Sequence, residues 1–233
     1  MVKDELIKRS PLRLLEKSIH GGLGTGNIGV LASPKGVGKT ACLVHIATDK
    51  LLQGKHVIHI SYSSRVDYII TWYEDIFKEI AKKKKLESAV DIHDEIIKHR
   101  VIMNFKQEGT RTEQVLKSVE AMITFGKFAA NTIIIDGYDF AKSSCEDIGK
   151  FREFARKLEL EVWYSASLKE TNEPLYGPEG IPTVLSPLCP AIDVLITLHA
   201  KGGCVELRVV KDHEFPPPGV LPLKLDPRTL LII

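Results

Sequence analysis

The sequence predicts a protein of the α/β class, in which a mainly parallel sheet is flanked by helices and carries an antiparallel extension at its C-terminal end. Over the first two thirds of the chain, apolar runs of strand length alternate with helical stretches, which is typical of a parallel sheet. The last third instead contains two β runs around Ala200-Lys201-Gly202-Gly203, a spacing that predicts an antiparallel hairpin. No linker composition interrupts this order, so residues 1–233 are predicted to form a single domain.

The first half of the chain opens with a helix and a glycine-rich turn. Ser10 and Pro11 are typical of a helix start, and a short helix is predicted over residues 10–19. Residues 20–26 (HGGLGTG) predict a turn that delivers the chain into a core spanning residues 27–233. Strands are then predicted at 27–32, 56–61 and 100–106, and helices at 40–53, 66–86, 90–98 and 111–125.

The second half continues the alternation and then becomes β-rich. A buried strand is predicted at 131–137, a helix at 146–158 and a strand at 160–165. Prolines and glycines predict a long loop over 171–184. The hairpin strands are predicted at 192–199 and 204–211, followed by short β runs at 220–225 and 230–233.

Bulk composition argues against several classes of protein. The chain has 233 residues, 27% of them charged, and a formal net charge of +2, so its charge alone does not require nucleic acid. Its four cysteines form no C-x-x-C pair, which argues against a zinc site or disulfide framework and indicates a reducing, cytoplasmic location. No apolar run has the length that spans a bilayer, and the charged N-terminus is unlike a signal peptide. We therefore expect no membrane partner.

The segment of residues 33–40 (SPKGVGKT), called the Gly-Lys-Thr loop below, lies between a predicted strand and a predicted helix. Small residues at a helix N-terminus let backbone N–H groups surround phosphate oxygens. Lys39 would reach the β- and γ-phosphates, and the Thr40 hydroxyl would bind Mg²⁺. The candidate nucleotide-binding residues are Ser33, Pro34, Lys35, Gly36, Val37, Gly38, Lys39, Thr40 and Ala41. Ser33 departs from the G-x-x-x-x-G-K-[ST] pattern, which has glycine at that position.

Asp136 is the candidate for the second half of a nucleotide site. It ends the apolar run 132–136 (TIIID), and in a parallel sheet the carboxyl ends of the strands form the ligand-binding edge. There Asp136 would hold Mg²⁺ through water, opposite Thr40. The expected cofactors are therefore Mg²⁺ and ATP or another purine nucleotide. The alternative is that Asp136 and Gly137 simply form a turn after the strand.

The order of these segments resembles that of the RecA/KaiC-like P-loop ATPases. The resemblance covers roughly residues 10–233, from the Gly-Gly-Leu entry and the Gly-Lys-Thr loop to the hairpin and a Pro-Gly-Val-x-Pro turn at 218–222. It implies a three-layer P-loop NTPase fold of RecA type. It also implies a homo-oligomer or a protein partner, because family members act as assemblies.

This sequence departs from the family where the family keeps its catalytic glutamate. The matching positions are Ser63 and Ser64, and a serine hydroxyl without a partner cannot serve as a base at neutral pH. Asp67 is the nearest acidic residue in sequence. A positioned base is worth roughly 10²–10⁴-fold in rate, so hydrolysis is expected to be weak or absent.

Three further features of the family can be compared with this sequence. The basic pair that reaches a neighbour's γ-phosphate in oligomeric members corresponds here to Lys211 and His213, and a histidine cannot form a guanidinium fork. The family's polar sensor residue corresponds to Ser165 or Ser167. The segment 168–185 corresponds to one that contacts DNA in recombinases. It carries three glutamates and no arginine, whereas binding a phosphate backbone requires positive charge, so DNA binding through this segment has weak support.

The sequence thus predicts a Mg²⁺–ATP-binding protein that acts as a nucleotide-dependent switch or scaffold. The first alternative is an active ATPase of recombinase-paralogue type, stimulated by DNA or by a protein partner. The second alternative is an interaction module that no longer binds nucleotide, of which Ser33 would be an early sign.

Overall fold

A computed structural model of the chain describes residues 3–62, 65–106, 108–169 and 174–233. Its helices are α1 (Lys3–Lys8), α2 (Leu12–Ser18), α3 (Lys39–Leu52), α4 (Val66–Lys84), α5 (Ala89–Lys98), α6 (Thr112–Thr124) and α7 (Cys145–Lys157). Its strands are β1 (Ile28–Pro34), β2 (His56–Ser61), β3 (Arg100–Asn104), β4 (Ala130–Tyr138), β5 (Glu161–Leu168), β6 (Val194–Lys201), β7 (Cys204–Asp212), β8 (Gly219–Asp226) and β9 (Leu231–Ile232). The alternation of helices and strands confirms the predicted α/β class.

The strands form one nine-stranded sheet in the order β3-β2-β4-β5-β1-β6-β7-β8-β9. Neighbouring strands from β3 to β6 are parallel, and those from β6 to β9 are antiparallel. Gly202 and Gly203 turn the β6–β7 hairpin with φ values of 57° and 79°, a left-handed geometry that suits a two-residue turn. The mainly parallel sheet and its antiparallel C-terminal extension are therefore both present.

Helices cover both faces of the parallel part of the sheet. Side chains alternate between the two faces along each central strand, so each strand contributes to two hydrophobic clusters. Val30 of β1 packs into a cluster with the apolar residues of α6 and α7, whereas Leu31 packs into a second cluster with α3, α4 and α5. Strands buried on both faces are continuously apolar, which explains the uninterrupted run in β4. By contrast β8 buries alternate residues, Leu221, Leu223 and Leu225, and exposes those between them.

Some boundaries differ from the sequence predictions. β5 continues to Leu168, beyond the predicted end at 165, because it pairs with β1 along the full length of that strand. α1 was not predicted. Its Leu6 is 3% exposed and packs into the hydrophobic core, which holds this short and largely charged helix in place. The predicted helix 10–19 is observed as α2, and Ser10 Oγ accepts a hydrogen bond from the Leu12 N–H at 3.3 Å.

The predicted loop 171–184 is described only in part. Residues 171–173 lie outside the described ranges, and residues 174–182 form a loop closed by a bridge between Tyr176 and Pro182. From Thr183 the chain forms a 3₁₀ segment, Thr183–Ala191, which the prolines in its sequence did not predict. Among the residues placed by the structure, no helix has the length and apolarity needed to cross a membrane.

Candidate functional site

The Gly-Lys-Thr loop joins the carboxyl end of β1 to the start of α3, and its glycines are required by its backbone. Gly36 and Gly38 have φ values of 85° and 115°, where residues with a side chain are strained. A Cβ atom on Gly38 would lie 2.2 Å from Leu225 Cδ2, so a larger residue there would require the Leu225 side chain to move. Gly38 is the N-cap of α3 and provides no side-chain cap, which leaves the first N–H groups of the helix available to a ligand.

Lys39 folds back over this loop. Its Nζ donates hydrogen bonds to the Ser33 carbonyl at 2.9 Å, the Pro34 carbonyl at 2.9 Å and the Ser33 hydroxyl at 3.3 Å. Burial lowers the pKa of the Lys39 ammonium, and the negative charge of Asp136 opposes this effect. The loop thus holds a largely desolvated cation whose present partners are all neutral oxygens.

Ser33, which departs from the sequence pattern, is compatible with this geometry. It lies inside β1 and is fully buried, and its backbone is paired with Ser167 of β5, so the position does not require glycine. Its side chain and carbonyl both accept hydrogen bonds from Lys39. The serine therefore supports the lysine instead of disrupting the loop.

Asp136 lies at the carboxyl end of β4 and is held through both of its oxygens. Thr40 Oγ1 donates to Oδ2 at 2.9 Å, and Ser165 Oγ donates to Oδ1 at 2.5 Å. Ser165 Oγ also accepts the Gly137 N–H at 2.9 Å. The strand order explains this meeting, because β5 lies between β1 and β4 and brings Ser165 between the loop and the carboxylate. Of the two serines predicted for a sensor role, Ser165 contacts Asp136, whereas Ser167 is exposed.

A buried polar group beneath the site was missed by sequence reasoning. His59 of β2 is fully buried, and its Nδ1 lies 3.1 Å from the Tyr73 hydroxyl. Burial lowers the pKa of His59, the charge of Asp136 raises it in part, and Arg100 lowers it further, so the ring is neutral at pH 7. The sequence signal for this group was a histidine between the apolar residues Ile58 and Ile60.

Ser63 and Ser64 stand where the family keeps its catalytic glutamate, and Asp67 is the nearest acidic residue in sequence. Ser63 and Ser64 lie outside the described residues. Asp67 is 60% exposed and forms an ion pair with Arg65, with 3.1 Å between Arg65 Nη2 and Asp67 Oδ2. Asp67 is thus held at the exposed start of α4 by its neighbour Arg65.

Lys211 and His213 lie at the opposite end of the sheet from the Gly-Lys-Thr loop. Lys211 pairs with Leu195, near the start of β6, and that end of β6 pairs with the start of β1. The Lys211 ammonium donates to the Cys189 carbonyl at 2.7 Å and the Ile192 carbonyl at 2.5 Å. Within one chain this pair is therefore separated from the loop, and its predicted role at a neighbouring subunit's site stays a prediction.

His213 contacts two acceptors. Its Nδ1 lies 2.9 Å from Asp212 Oδ1, and its Nε2 lies 3.1 Å from the Leu23 carbonyl. Burial lowers the pKa of His213, but hydrogen bonds to these acceptors and the charge of Asp212 raise it overall. The protonated ring suits this position, because both nitrogens then donate.

The donors at the site fit Mg²⁺ only together with a ligand. Across residues 3–62, 65–106, 108–169 and 174–233, no cluster of three or more His, Cys, Asp and Glu side chains could hold a metal. Thr40 and Asp136 provide one hydroxyl and one carboxylate, both hard oxygen donors. Mg²⁺ is commonly held by one or two such groups plus phosphate oxygens and water. The chain was also compared with models of protein families and with curated proteins, and neither comparison gave a match.

Proposed function

We propose that the chain binds the Mg²⁺ complex of ATP or another purine nucleotide and acts as a nucleotide-dependent switch or scaffold. In this proposal its fold is the three-layer P-loop NTPase fold of RecA type. The observation that supports the proposal is the convergence of Lys39, Thr40, Asp136 and Ser165, which come from the start of α3 and from two separate strands, β4 and β5. A turn residue after β4 would not require this set of contacts.

Phosphate oxygens would replace the neutral partners of Lys39. The buried ammonium now donates hydrogen bonds to two carbonyls and a hydroxyl, and these bonds offset part of the free energy lost on removing the charge from water. An anionic partner forms a stronger, charge-assisted hydrogen bond than a carbonyl does. The N-terminus of α3 adds backbone donors and the positive end of the helix dipole. The loop is therefore suited to attract a triphosphate.

Thr40 and Asp136 would hold the Mg²⁺ ion, which would neutralise charge on the phosphates. Their direct hydrogen bond uses only Oδ2 of the carboxylate, whereas Ser165 holds Oδ1. Asp136 can therefore exchange the Thr40 hydroxyl for a metal-bound water while Ser165 keeps the carboxylate in place. This division of the two oxygens gives Ser165 a positioning role.

Calorimetric titration with Mg²⁺–ATP tests the proposal. We expect saturable binding that weakens by about 10- to 100-fold in Lys39→Ala, since a hydrogen bond from a charged group contributes roughly 1.5–3 kcal/mol. Lys78→Ala, which removes an exposed lysine of α4, is the matched control and should bind as the wild type does. Absence of binding at millimolar nucleotide would reject the proposal in favour of an interaction module.

An ATPase assay beside light scattering separates the switch from the enzyme. The switch proposal expects nucleotide binding, or a change of assembly state with nucleotide, with little turnover. Steady turnover that is lost in Lys39→Ala and stimulated by single-stranded DNA would favour the ATPase instead. Ser63→Glu is a further probe, because turnover gained in this variant would show that only the base is missing.

A further inference from the structure

A second cavity lies at the other end of α3, away from the Gly-Lys-Thr loop. Its volume is about 270 Å³, it is partly open to solvent, and it is lined by α1, the segment before α2, α3, α4 and the end of the chain from β9 onward. Most of its wall is aliphatic; the apolar side chains are Leu6, Leu52, Ile80, Leu231, Ile232 and Ile233. An apolar cavity of this size can hold a small organic ligand.

His45 is a buried polar side chain on this wall. It is 4% exposed, and its Nδ1 accepts the Ile232 N–H at 2.9 Å, which places the ring proton on Nε2. Burial and, to a smaller extent, the charge of Lys83 lower the pKa of His45 to about 4, so the ring is neutral at pH 7. No residue that the structure describes accepts a hydrogen bond from Nε2. His45 therefore presents its Nε2–H as a hydrogen-bond donor at the wall of this cavity.

The polar side chains around the cavity carry an excess of positive charge. The cationic lining residues are Arg9, Lys83 and Lys84, and Lys83 is exposed to solvent. The lining carboxylate, Asp49, is already neutralised by an ion pair with Arg13 and accepts a hydrogen bond from Gln53 at 2.7 Å. Arg9 is balanced in part by Glu5 on the surface, which leaves the two lysines of α4 without an ion-pair partner among the described residues. An anionic head group at this rim would face favourable charge.

We propose that this cavity binds a small amphipathic carboxylate, a medium-chain fatty acid, with its alkyl chain among the aliphatic residues and its carboxylate toward His45 and the lysines of α4. A cavity of about 150 Å³ holds benzene, so a volume of about 270 Å³ suits a chain of roughly ten carbons. Neither an uncharged hydrocarbon nor a strongly polar anion would use both the aliphatic wall and the cationic rim.

Titration of the 233-residue chain with decanoate, without nucleotide and below the micellar concentration, tests this inference by calorimetry and by thermal unfolding. We expect saturable binding and a rise in Tm, because a ligand that binds only the folded state stabilises it. In the double variant Lys83→Glu/Lys84→Glu we expect affinity to fall by about tenfold or more. The matched control is Lys82→Glu, which reverses an exposed lysine of the same helix that does not line the cavity.

Two further arms keep the test decisive. Decanol has the same alkyl chain without the charge, and it should bind more weakly than decanoate and respond little to the lysine substitutions. Leu231→Phe fills the cavity from β9 and should abolish decanoate binding while the protein still unfolds cooperatively. No binding of decanoate to the wild type, or equal binding by the double variant and the Lys82→Glu control, would overturn the inference. Nucleotide binding at the Gly-Lys-Thr loop is a separate outcome, since neither proposal depends on the other.

Discussion

Acidification from about pH 7.5 to about pH 5 is expected to destabilise the fold through His45. The ring is buried, and its Nδ1 accepts the Ile232 N–H at 2.9 Å, so protonation would both charge a desolvated group and remove its acceptor. Burial lowers its pKa from 6.5 to about 4. The unfolded chain therefore binds more protons than the folded chain between these two values. The contribution of His45 to the free energy of unfolding is fully present above about pH 6.5 and is lost as the pH falls toward the folded-state pKa.

The magnitude follows from the size of the shift. Each pKa unit corresponds to about 1.4 kcal/mol, so the whole shift of His45 amounts to about 3 kcal/mol, of which about 2 kcal/mol is lost by about pH 5. Domains unfold with about 5–15 kcal/mol in total, so this loss is easily measured. The assay is urea denaturation at both pH values, followed by circular dichroism.

His45→Gln isolates this contribution. Its amide oxygen can still accept the Ile232 N–H, but it does not titrate, so the variant should lose about 2 kcal/mol less than the wild type on acidification. Lys83→Gln removes a charge that lowers the pKa of His45, and it should reduce the pH dependence slightly. His59 has its pKa lowered by burial in all three proteins and cancels in the comparison. Equal loss of stability in the wild type and His45→Gln would refute the reasoning.

Two further predictions concern the Gly-Lys-Thr loop and its neighbours. Gly36→Ala, at φ 85° with open space around it, should lower the free energy of unfolding by about 1–2 kcal/mol in urea denaturation. Gly38→Ala should lower it clearly more because its Cβ would meet Leu225, and adding Leu225→Ala should relieve part of the excess. Equal losses for the two glycine variants would contradict this. Ser165→Ala should cost about 1–3 kcal/mol, because one oxygen of the buried Asp136 loses its donor, and a cost near zero would show that water replaces the serine.

Much of the fold could be predicted because the signal is local. Continuous apolar runs such as residues 133–135 must be buried on both faces of a sheet. The helical stretches between the runs are long enough to connect parallel strands, so the pattern predicts a parallel sheet. The hairpin was equally clear, since two glycines supply the left-handed turn. The end of β5 was less clear, because residues 166–168 extend the strand by pairing with residues 32–34 of β1, which lie far away in sequence.

The candidate site was predicted in part, for a similar reason. Lys39, Thr40 and Asp136 stand in recognisable local patterns, and their proximity is observed. Ser165 and Ser167 lie on the same face of β5, so the choice between them depended on which position along the strand lies beside Asp136, and strand register decides that. The bonds of Lys211 to carbonyls of the 3₁₀ segment could not be read from sequence, because a long flexible side chain has many acceptors within reach.

The position of β1 has a consequence for how the chain folds. This strand begins near residue 28, yet Ile28 pairs with Val162 and Gly29 pairs with Val194, so both neighbours of the strand come from much later in the chain. During synthesis the edges of this apolar strand have no partner until most of the chain has been made. Such long-range parallel pairing slows folding and exposes intermediates to aggregation. We therefore expect refolding yields to fall with protein concentration, and truncations before β6 to aggregate.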